Sequence, residues 1–484
     1  MKKISNILCV ACLGILVLLS GCEQDKSGGT DNTEITKAAQ TADAELTDAQ
    51  IENIVRRSYQ YVAMYNVNNK FALDSTLPGN TGGWNKITVN TQLLDHTVKA
   101  IARPNNDTLY ITLMLVLKND PVIIDMPAFD SKYVSLMVTG YDHYVNVPMS
   151  VTKGDFKKPE KVLFYTARTE NYEGNPVKGI DRTFEMTGDF VSAVFRVMPH
   201  ANDKARFDKI IGQMKSVKLM TLSEFQDKPT KAIDDVQFPD FGKSDLDVYE
   251  NNFLEVMQFV VNHTTFDSND ELDKALLAAL KPLGVEPGKK FDKSKVVSID
   301  GKRFRIIAEQ VQKGEFARAM DPAVTAEHGT SLFKIKGQMP LHLLVLQSVL
   351  GPIGLPATEA MYPPVTAADG QPMNAQNDYV IRMDKNALPP AKAFWSFTMY
   401  DSANGFFIPN DHKKYSVGEN AGMKLNEQGG LDVYIATNKP EGVPDENWLP
   451  INRKDENIDV IMRLYAPDLE RMKTWKVPTA EMVK

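Results

Sequence analysis

The chain has 484 residues, a formal net charge of −7, and 24% charged residues. This acidic balance argues against a nucleic-acid partner, which requires clustered Lys and Arg, and against adsorption to an anionic membrane surface. All three cysteines (Cys9, Cys12 and Cys22) fall within the first 22 residues, so the rest of the chain can form neither a disulfide nor a thiolate metal site.

The first 21 residues are typical of a bacterial lipoprotein signal peptide. Two lysines precede an apolar run from Ile7 to Leu19, which is too short for a membrane-spanning helix of roughly 20 residues and fits a signal-peptide core. The run ends in Leu19-Ser20-Gly21-Cys22, which resembles a lipobox, although an ordinary secretory signal is an alternative. We expect cleavage before Cys22 and a lipid on its sulfur that anchors the protein in the cell envelope. By resemblance to the sorting rule of many Gram-negative bacteria, Glu23 favours the outer membrane over the inner one.

A polar tether and a β domain with a leading helix are predicted to follow. Residues 22–45 are polar and are expected to be disordered. Thr47 and Gln50 form a capping box that starts a helix from 48 to about 65. The rest of the N-terminal domain, residues 46–225, shows β alternation, most clearly from Thr108 to Leu117. Further strands are predicted at Pro121–Met126, Tyr133–Thr139, Val162–Ala167 and Ala193–Met198.

Helical periodicity dominates residues 226–330, which are predicted to be a connecting region. Its helices are expected at Leu246–Asn262, Asn269–Lys281 and Lys302–Met320. Glu315 and Arg318 are expected on a solvated face of the third of these helices. Residues 340–350 fit either a short apolar helix or a buried strand.

Alternation returns in residues 331–484, which are predicted to be a C-terminal β domain. Its strands are expected at Asp378–Met383, Ala393–Tyr400, Leu431–Thr437 and Ile458–Tyr465. No internal repeat is visible in the sequence. The whole pattern predicts a mainly β fold with α: two jelly-roll-like β-sandwich domains joined by a helical segment.

Two of these regions resemble a known family pair, the domain-of-unknown-function families 1254 and 1214, which often occur in tandem. The first family resembles residues from about 55 to 225, through Arg103-Pro104-Asn105-Asn106-Asp107-Thr108-Leu109-Tyr110, Tyr133-Val134-Ser135-Leu136 and Arg196. The second resembles residues from about 330 to 476, through Ala360-Met361-Tyr362-Pro363, the strand from Phe394 to Asp401, Asn447-Trp448-Leu449-Pro450 and Arg463-Leu464-Tyr465. The resemblance implies two jelly-roll-like domains joined through helices, and it implies no established reaction.

The segment from Arg103 to Tyr110 gathers polar groups at the start of the most apolar strand. Pro104 is expected to keep Arg103 extended, and the side chains of Asn105, Asn106 and Asp107 are expected to bond their own backbone in a tight turn. In the functional interpretation, Arg103 binds a substrate carboxylate, Asp107 is a general base, and Tyr110 donates a hydrogen bond to an oxyanion. The structural alternative is a turn in which Asp107 pairs with Arg103.

A second group of candidates lies on predicted strands. Tyr400 shares its strand face with a serine and a threonine. Trp395 points to the opposite face, where it either packs in the core, which we favour, or lines a pocket. Arg463 and Arg196 interrupt apolar strands, and a buried arginine needs a partner. That partner is either a carboxylate, such as Asp401 for Arg463, or an anionic ligand.

No motif indicates a metal or an organic cofactor, because the chain has no P-loop and no G-x-S-x-G, and its seven histidines are scattered. The leading hypothesis is a cofactor-independent hydrolase or lyase that acts on a polar or anionic substrate in the envelope. The alternatives are a non-catalytic lipoprotein that binds a glycan or another small ligand, and an envelope scaffold protein. The oligomeric state is left open.

Overall fold

The computed structural model describes residues 45–77, 79–99, 103–233, 236–319, 324, 327–351 and 353–483. The predicted signal peptide, its Cys22 and nearly all of the predicted tether lie outside these residues. Within the described part of the chain, no helix combines the length and the hydropathy that a membrane span requires.

Helix α1, Asp48–Leu73, begins at the predicted capping box and continues well past its predicted end at residue 65. The Thr47 hydroxyl accepts a hydrogen bond from the Gln50 amide at 3.3 Å, and the Gln50 side chain accepts one from the Thr47 amide at 2.8 Å. Further helices are α2 (Lys204–Ser216), α3 (Leu222–Phe225), α4 (Asp245–Asn251), α5 (Phe253–Asn262), α6 (Glu271–Leu280), α7 (Gly301–Ala319), α8 (Leu341–Leu350) and α9 (Leu469–Met472). Residues 340–350 therefore form a helix, and the predicted helix at 246–262 is broken at Asn252.

Helix α1 and helices α4 to α8 share one apolar core. Val62 of α1, Val256 of α5 and Val345 of α8 are all buried in it. Met114 and Phe190 of the first β-sheet belong to the same core, so the helical layer covers part of one sheet face. The leading helix therefore packs mainly with helices that follow far later in the chain.

Glu315 of α7 is a buried member of this helical layer. Its side chain is 2% exposed and forms ion pairs with Arg56 of α1 at 2.9 Å and with Arg318 at 2.7 Å. The predicted solvated face at Glu315 is therefore wrong, because the long-range packing of α1 against α7 encloses it.

The first β-sandwich contains nine strands in the described residues: β1 (Lys86–Asn90), β2 (Leu109–Val116), β3 (Val122–Met126), β4 (Val134–Thr139), β5 (Val147–Ser150), β6 (Glu160–Thr166), β7 (Arg182–Met186), β8 (Phe190–Val197) and β9 (Lys218–Thr221). One sheet has the order β1-β2-β8-β4-β5, and the other has the order β7-β6-β3-β9 with β6 and β7 parallel. Leu109, Ile111 and Leu113 point into the core between these sheets, so the residues between them point to the outer face.

The second β-sandwich contains β10 (Ala360–Met361), β11 (Pro364–Val365), β12 (Asp378–Met383), β13 (Ala391–Asp401), β14 (Ser416–Gly418), β15 (Leu431–Ala436), β16 (Trp448–Pro450), β17 (Ile458–Pro467) and β18 (Ala480–Val483). Its sheets have the orders β10-β17-β13-β14, with β11 also on β17, and β16-β15-β12-β18, with β15 and β16 parallel. Phe397 and Met399 of β13 point into the core between them.

The two sandwiches share one strand plan. When β2 is matched to β10–β11 and β3 to β9 are matched in order to β12 to β18, both sheet orders of the first sandwich, apart from its edge strand β1, reproduce those of the second. The parallel pair at one edge recurs as well. The topology thus contains a repeat that the sequence does not display. The predicted fold class, mainly β with two sandwich domains joined by helices, is confirmed.

Candidate functional site

A row of polar side chains crosses the outer face of the first sheet. The row consists of four successive cross-strand neighbours: Tyr110 of β2, Arg196 of β8, Ser135 of β4 and Ser150 of β5. They alternate along their strands with core residues, so all four point away from the core of the first sandwich. The row lies where this sheet meets the second sandwich, as the 5.1 Å distance between the ring centres of Tyr133 and Tyr465 shows.

A matching row crosses the second sheet. Ser396 of β13 pairs with Arg463 of β17, and the register of β10 and β11 on β17 places Tyr362 opposite Arg463. The Arg463 guanidinium lies 5.3 Å from the centre of the Tyr362 ring, as Arg196 lies 5.8 Å from that of Tyr110. Each sheet therefore presents an arginine flanked by a tyrosine and a serine.

The turn before β2 joins the two sandwiches. The Asn105 side chain accepts a hydrogen bond from the Asp107 amide at 2.7 Å, which forms the predicted turn. Arg103 is not extended as predicted, since its φ of 51° is left-handed. Its amide donates to the Gly405 carbonyl at 2.6 Å, and its carbonyl accepts from Arg463 at 2.9 Å. Contacts with the second sandwich thus maintain a conformation that costs about 1–3 kcal/mol on its own.

Asp107 is fully buried and bonds across the domain boundary. Its Oδ2 accepts a hydrogen bond from the Ser396 hydroxyl at 2.6 Å, whereas its Oδ1 has no hydrogen-bond partner in the described residues. Burial raises the pKa of this carboxyl, although the Arg463 guanidinium and the hydroxyls of Ser396 and Tyr465 favour the ionised form. Asp107 is therefore a fully buried carboxyl with a raised pKa, a combination that is common among groups that transfer protons in active sites.

Arg103 itself pairs with Asp459 of β17. The Arg103 Nη2 lies 2.6 Å from the Asp459 Oδ2, and the two side chains are 19% and 33% exposed. The predicted pair between Asp107 and Arg103 is wrong, because Asp107 bonds Ser396 in its place. The Arg103 side chain is therefore already paired with a carboxylate, at the edge of the boundary between the two sandwiches.

Arg463 is buried and holds the turn against the second sheet. Its Nη2 donates to the carbonyls of Arg103 and Pro104 at 2.9 and 3.3 Å and to the Tyr400 hydroxyl at 2.6 Å. Burial disfavours the cation, but the surrounding tyrosine hydroxyls and the Asp107 carboxyl outweigh it and raise the pKa of Arg463. Its Nε has no hydrogen-bond partner within the described ranges. Asp401, the predicted carboxylate partner, instead accepts from the backbone of its own turn.

Arg196 is the second buried arginine at this boundary, with 6% of its surface exposed. Its Nη2 donates to the Ile353 carbonyl at 2.9 Å, and its Nη1 is buried without a partner among the residues described. The hydrogen bonds of Arg196 and Arg463 thus go to carbonyl and phenol oxygens, not to carboxylates. A buried guanidinium without a carboxylate partner is costly unless an anion neutralises it.

Three further predicted site residues divide between this boundary and the core. Tyr400 donates to the Pro104 carbonyl at 2.8 Å and therefore lies at the boundary. Tyr110 is half-buried beside Arg196. Trp395 is 5% exposed in the core of the second sandwich, on the other side of its sheet, so it does not line the site.

Glu359 is a site residue that the sequence interpretation missed. It precedes β10 and is 2% exposed. Its Oε1 accepts from the Ser150 hydroxyl at 2.9 Å and lies 3.4 Å from the Lys153 Nζ, and its Oε2 accepts from the Tyr133 hydroxyl at 3.4 Å. Burial raises the pKa of Glu359. The available signal was an acid directly ahead of the Ala-Met-Tyr-Pro motif.

Five buried polar atoms at this boundary have no hydrogen-bond partner in the part of the chain that is described. They are Asp107 Oδ1, Ser135 Oγ, Arg196 Nη1, Thr398 Oγ1 and Arg463 Nε. Buried polar atoms are nearly always paired, so such a cluster indicates a place where a polar ligand or water completes the bonding. We define the interdomain site as the two rows, Tyr110, Ser135, Arg196 and Tyr362, Ser396, Arg463, together with Asp107 and Glu359.

The donors of the interdomain site suit an oxygen-bearing anion. Guanidinium and hydroxyl groups form short, strong hydrogen bonds to carboxylates, and Asp107 adds a group that can exchange a proton. Among the described side chains, no group of three or more His, Cys, Asp or Glu is arranged to hold a metal ion.

Comparisons with known proteins agree with this two-domain arrangement. A family described as Protein of unknown function (DUF1254) matches residues 84–217, and one described as Protein of unknown function (DUF1214) matches residues 359–469. No curated protein matches the chain.

Two solved structures are also similar to this chain. The VPA0106 protein from Vibrio parahaemolyticus is 22% identical with a TM-score of 0.67, over 90% of this chain and 100% of that one, and shares the fold. An uncharacterized protein from Burkholderia cenocepacia is 10% identical over 90% of this chain and 93% of that one, with a TM-score of 0.39, which is too low to indicate a shared fold. The chain thus carries a DUF1254 domain at residues 84–217 followed by a DUF1214 domain at residues 359–469, and the interdomain site lies between them.

Proposed function

We propose that this protein is an enzyme that binds a small anionic substrate between its two β domains and acts on it by acid–base catalysis, as a hydrolase or lyase. The observation that carries the proposal is the pair of buried arginines, Arg196 and Arg463, whose hydrogen bonds go to uncharged oxygens. Two cations in a low-dielectric boundary attract an anion strongly, and guanidinium suits a carboxylate.

Asp107 is the acid–base group in this proposal. The Ser396 hydroxyl bonds one of its oxygens and thereby fixes the carboxyl plane, and we assign the other oxygen, which has no hydrogen-bond partner in the described residues, to the substrate. In the protonated form Oδ1 can donate its proton to a leaving oxygen. In the ionised form it can take a proton from a water or from a carbon next to the bound anion. Either step is general acid–base catalysis, which contributes about 10²–10⁴-fold in rate.

A screen of small carboxylates tests the binding part of this proposal. Compounds that raise the melting temperature of the full-length protein in detergent would be followed for turnover by NMR. Arg196→Gln should abolish the stabilisation, because it removes a cation and a buried donor. The matched control is Arg382→Gln, whose exposed guanidinium pairs with Glu481 at 2.6 Å on β18, outside the interdomain site.

The outcomes of this screen separate the candidate functions. A carboxylate that stabilises the wild type and Arg382→Gln but not Arg196→Gln supports the site. Stabilisation without turnover of any binder would favour a non-catalytic binding lipoprotein. If no carboxylate stabilises the wild type, or if Arg196→Gln binds equally well, the proposed site is wrong.

We further propose that the protein acts in the cell envelope, held by a lipid on Cys22. This rests on the short apolar leader and the Leu-Ser-Gly-Cys sequence at its end. Mass spectrometry of the N-terminal peptide from the membrane fraction should find Cys22 acylated at the new N-terminus. An N-terminus at Met1 or an unmodified sulfur would refute the anchor without touching the proposed chemistry.

A further inference from the structure

The two rows of the interdomain site correspond residue by residue. The correspondence between the strands of the two sandwiches also places their site residues at equivalent positions. The pairs are Tyr110 with Tyr362, Ser135 with Ser396, and Arg196 with Arg463. In both sheets the serine is the direct cross-strand neighbour of the arginine, and the tyrosine lies beside the guanidinium.

The acidic groups follow the same correspondence. Asp107 and Glu359 each stand three residues before the tyrosine of their own row. Each carboxyl crosses to the other sandwich: Asp107 to Ser396 at 2.6 Å, and Glu359 to Ser150 at 2.9 Å. The site therefore consists of two half-sites. The first is the Arg196 row with Glu359, and the second is the Arg463 row with Asp107.

In each half-site a guanidinium nitrogen is buried without a hydrogen-bond partner among the residues that the structure describes. Arg463 uses Nη2 for three oxygens and keeps Nε, whereas Arg196 uses Nη2 for the Ile353 carbonyl and keeps Nη1. The two free donors belong to different sandwiches. A ligand that completes the bonding of both must therefore offer an acceptor to each domain.

The charges also favour two anionic groups. A single carboxylate bound to Arg463 would leave Arg196, which bonds only a carbonyl in the described residues, without a counter-charge, which is costly. Lys153 is a third cation at the boundary, 3.4 Å from Glu359. Burial raises the pKa of both Asp107 and Glu359, because it disfavours their ionised forms.

We propose that the interdomain site binds a small dicarboxylate, with one carboxylate on Arg196 of the first half-site and the other on Arg463 of the second. This inference rests on the proposed function and specifies its substrate class. Asp107, in the second half-site, then lies next to the end of the substrate that is held by Arg463. Binding both ends also ties the two domains together through the ligand.

Calorimetric titration of the full-length protein in detergent tests this directly. The probes are the unbranched dicarboxylates from malonate to adipate and, for each, the monoamide that keeps the length but has one uncharged end. One length should bind about tenfold or more tighter than its monoamide, which corresponds to about 1.4 kcal/mol. Arg196→Gln and Arg463→Lys should each reduce that ratio to near one, and Arg382→Gln should leave it unchanged.

The variants are chosen so that folding does not obscure the result. Arg463→Lys keeps a charge and a donor for the turn carbonyls that Arg463 bonds, but it removes the Nε donor. Equal affinity for diacids and monoamides, with weaker binding in the arginine variants, would overturn the two-ended ligand and leave the proposed single-anion function standing. Failure of every carboxylate to bind the wild type would overturn both proposals.

Discussion

The two sandwiches share a strand plan but differ in how their acids are bonded. Asp107 accepts a hydrogen bond from Ser396 on β13 and lies beside the Tyr465 hydroxyl. Glu359 reaches one strand further, where it accepts from Ser150 of β5 and not from Ser135. The two acids therefore bond serines at different positions of the two sheets.

The arginines differ in their bonding as well. Arg463 bonds two carbonyls of the turn and a tyrosine hydroxyl, whereas Arg196 bonds one carbonyl. The second half-site therefore combines the most tightly held arginine with the Asp107 carboxyl. Two half-sites with the same geometry can therefore have different roles. In the second half-site, the arginine supports the structure and the acid transfers the proton.

The largest difference is expected between the two acids. Asp107→Asn should reduce turnover by about 10²–10⁴-fold, because it removes the proton-transfer group and keeps an acceptor for Ser396. Glu359→Gln should reduce turnover less than Asp107→Asn does, since Glu359 belongs to the binding site but transfers no proton in this proposal. The measurement is kcat and KM on a turned-over carboxylate. Equal losses in both variants would contradict this assignment of roles.

Substitutions of the two arginines should have different effects on the stability of the protein. Arg463→Met should lower the free energy of unfolding by about 3 kcal/mol, because hydrogen bonds to a charged donor contribute about 1.5–3 kcal/mol each and two turn carbonyls lose theirs. Arg196→Met should change it by less than about 1 kcal/mol, since it also removes a buried cation that lacks a carboxylate partner. Urea unfolding followed by tryptophan fluorescence measures both. A larger loss for Arg196→Met would reverse the comparison.

The serines provide a smaller contrast. Ser396→Ala should lower the free energy of unfolding by about 1–2 kcal/mol, because Asp107 loses its donor in a buried place. Ser135→Ala should lie within about 0.5 kcal/mol of the wild type, since the Ser135 hydroxyl has no partner in the described chain. Equal effects of the two substitutions, measured in the same urea experiment, would show that their surroundings do not differ as described.

The smallest effect concerns pH. An unfolded Asp or Glu releases its proton near its ordinary pKa of 3.8 or 4.5, whereas burial raises the native pKa of Asp107 and Glu359. Above those ordinary values the native state therefore binds more protons than the unfolded state, so stability falls as pH rises and levels off above the native pKa. Asp107→Asn should show a shallower fall than the wild type in melting temperatures from pH 4 upward. An unchanged slope would contradict the raised pKa of Asp107.

Several features of the site follow from local pattern alone. Period-two alternation places Ser396 and Arg463 on the outer face of their sheet and Trp395 on the inner one, as the structure has them. The Asn105 side chain forms the predicted turn because an Asx turn is a contact over two residues. Such features need no knowledge of the rest of the chain.

Other features depend on contacts between distant parts of the chain. The left-handed φ of Arg103 arises from its bonds to Gly405 and Arg463, and a proline after it predicts the opposite. Glu315 looks solvated in its own helix, and the packing of distant helices, including α1 with its Arg56, buries it. The repeated strand order is not visible in the sequence, because two domains with the same topology need a similar alternation of polar and apolar residues but not similar residues.

The sequence by itself determined the strands, their faces and the polar turn, because these depend on steric and hydrophobic preferences over a few residues. Only the tertiary structure decided that Asp107 bonds Ser396, 289 positions later in the chain, and that Glu359 crosses in the other direction. No local preference encodes such a pair. The Asp107–Ser396 pair forms because each sandwich buries its apolar side chains in its own core. The polar rows that remain on the outer faces then pack against each other.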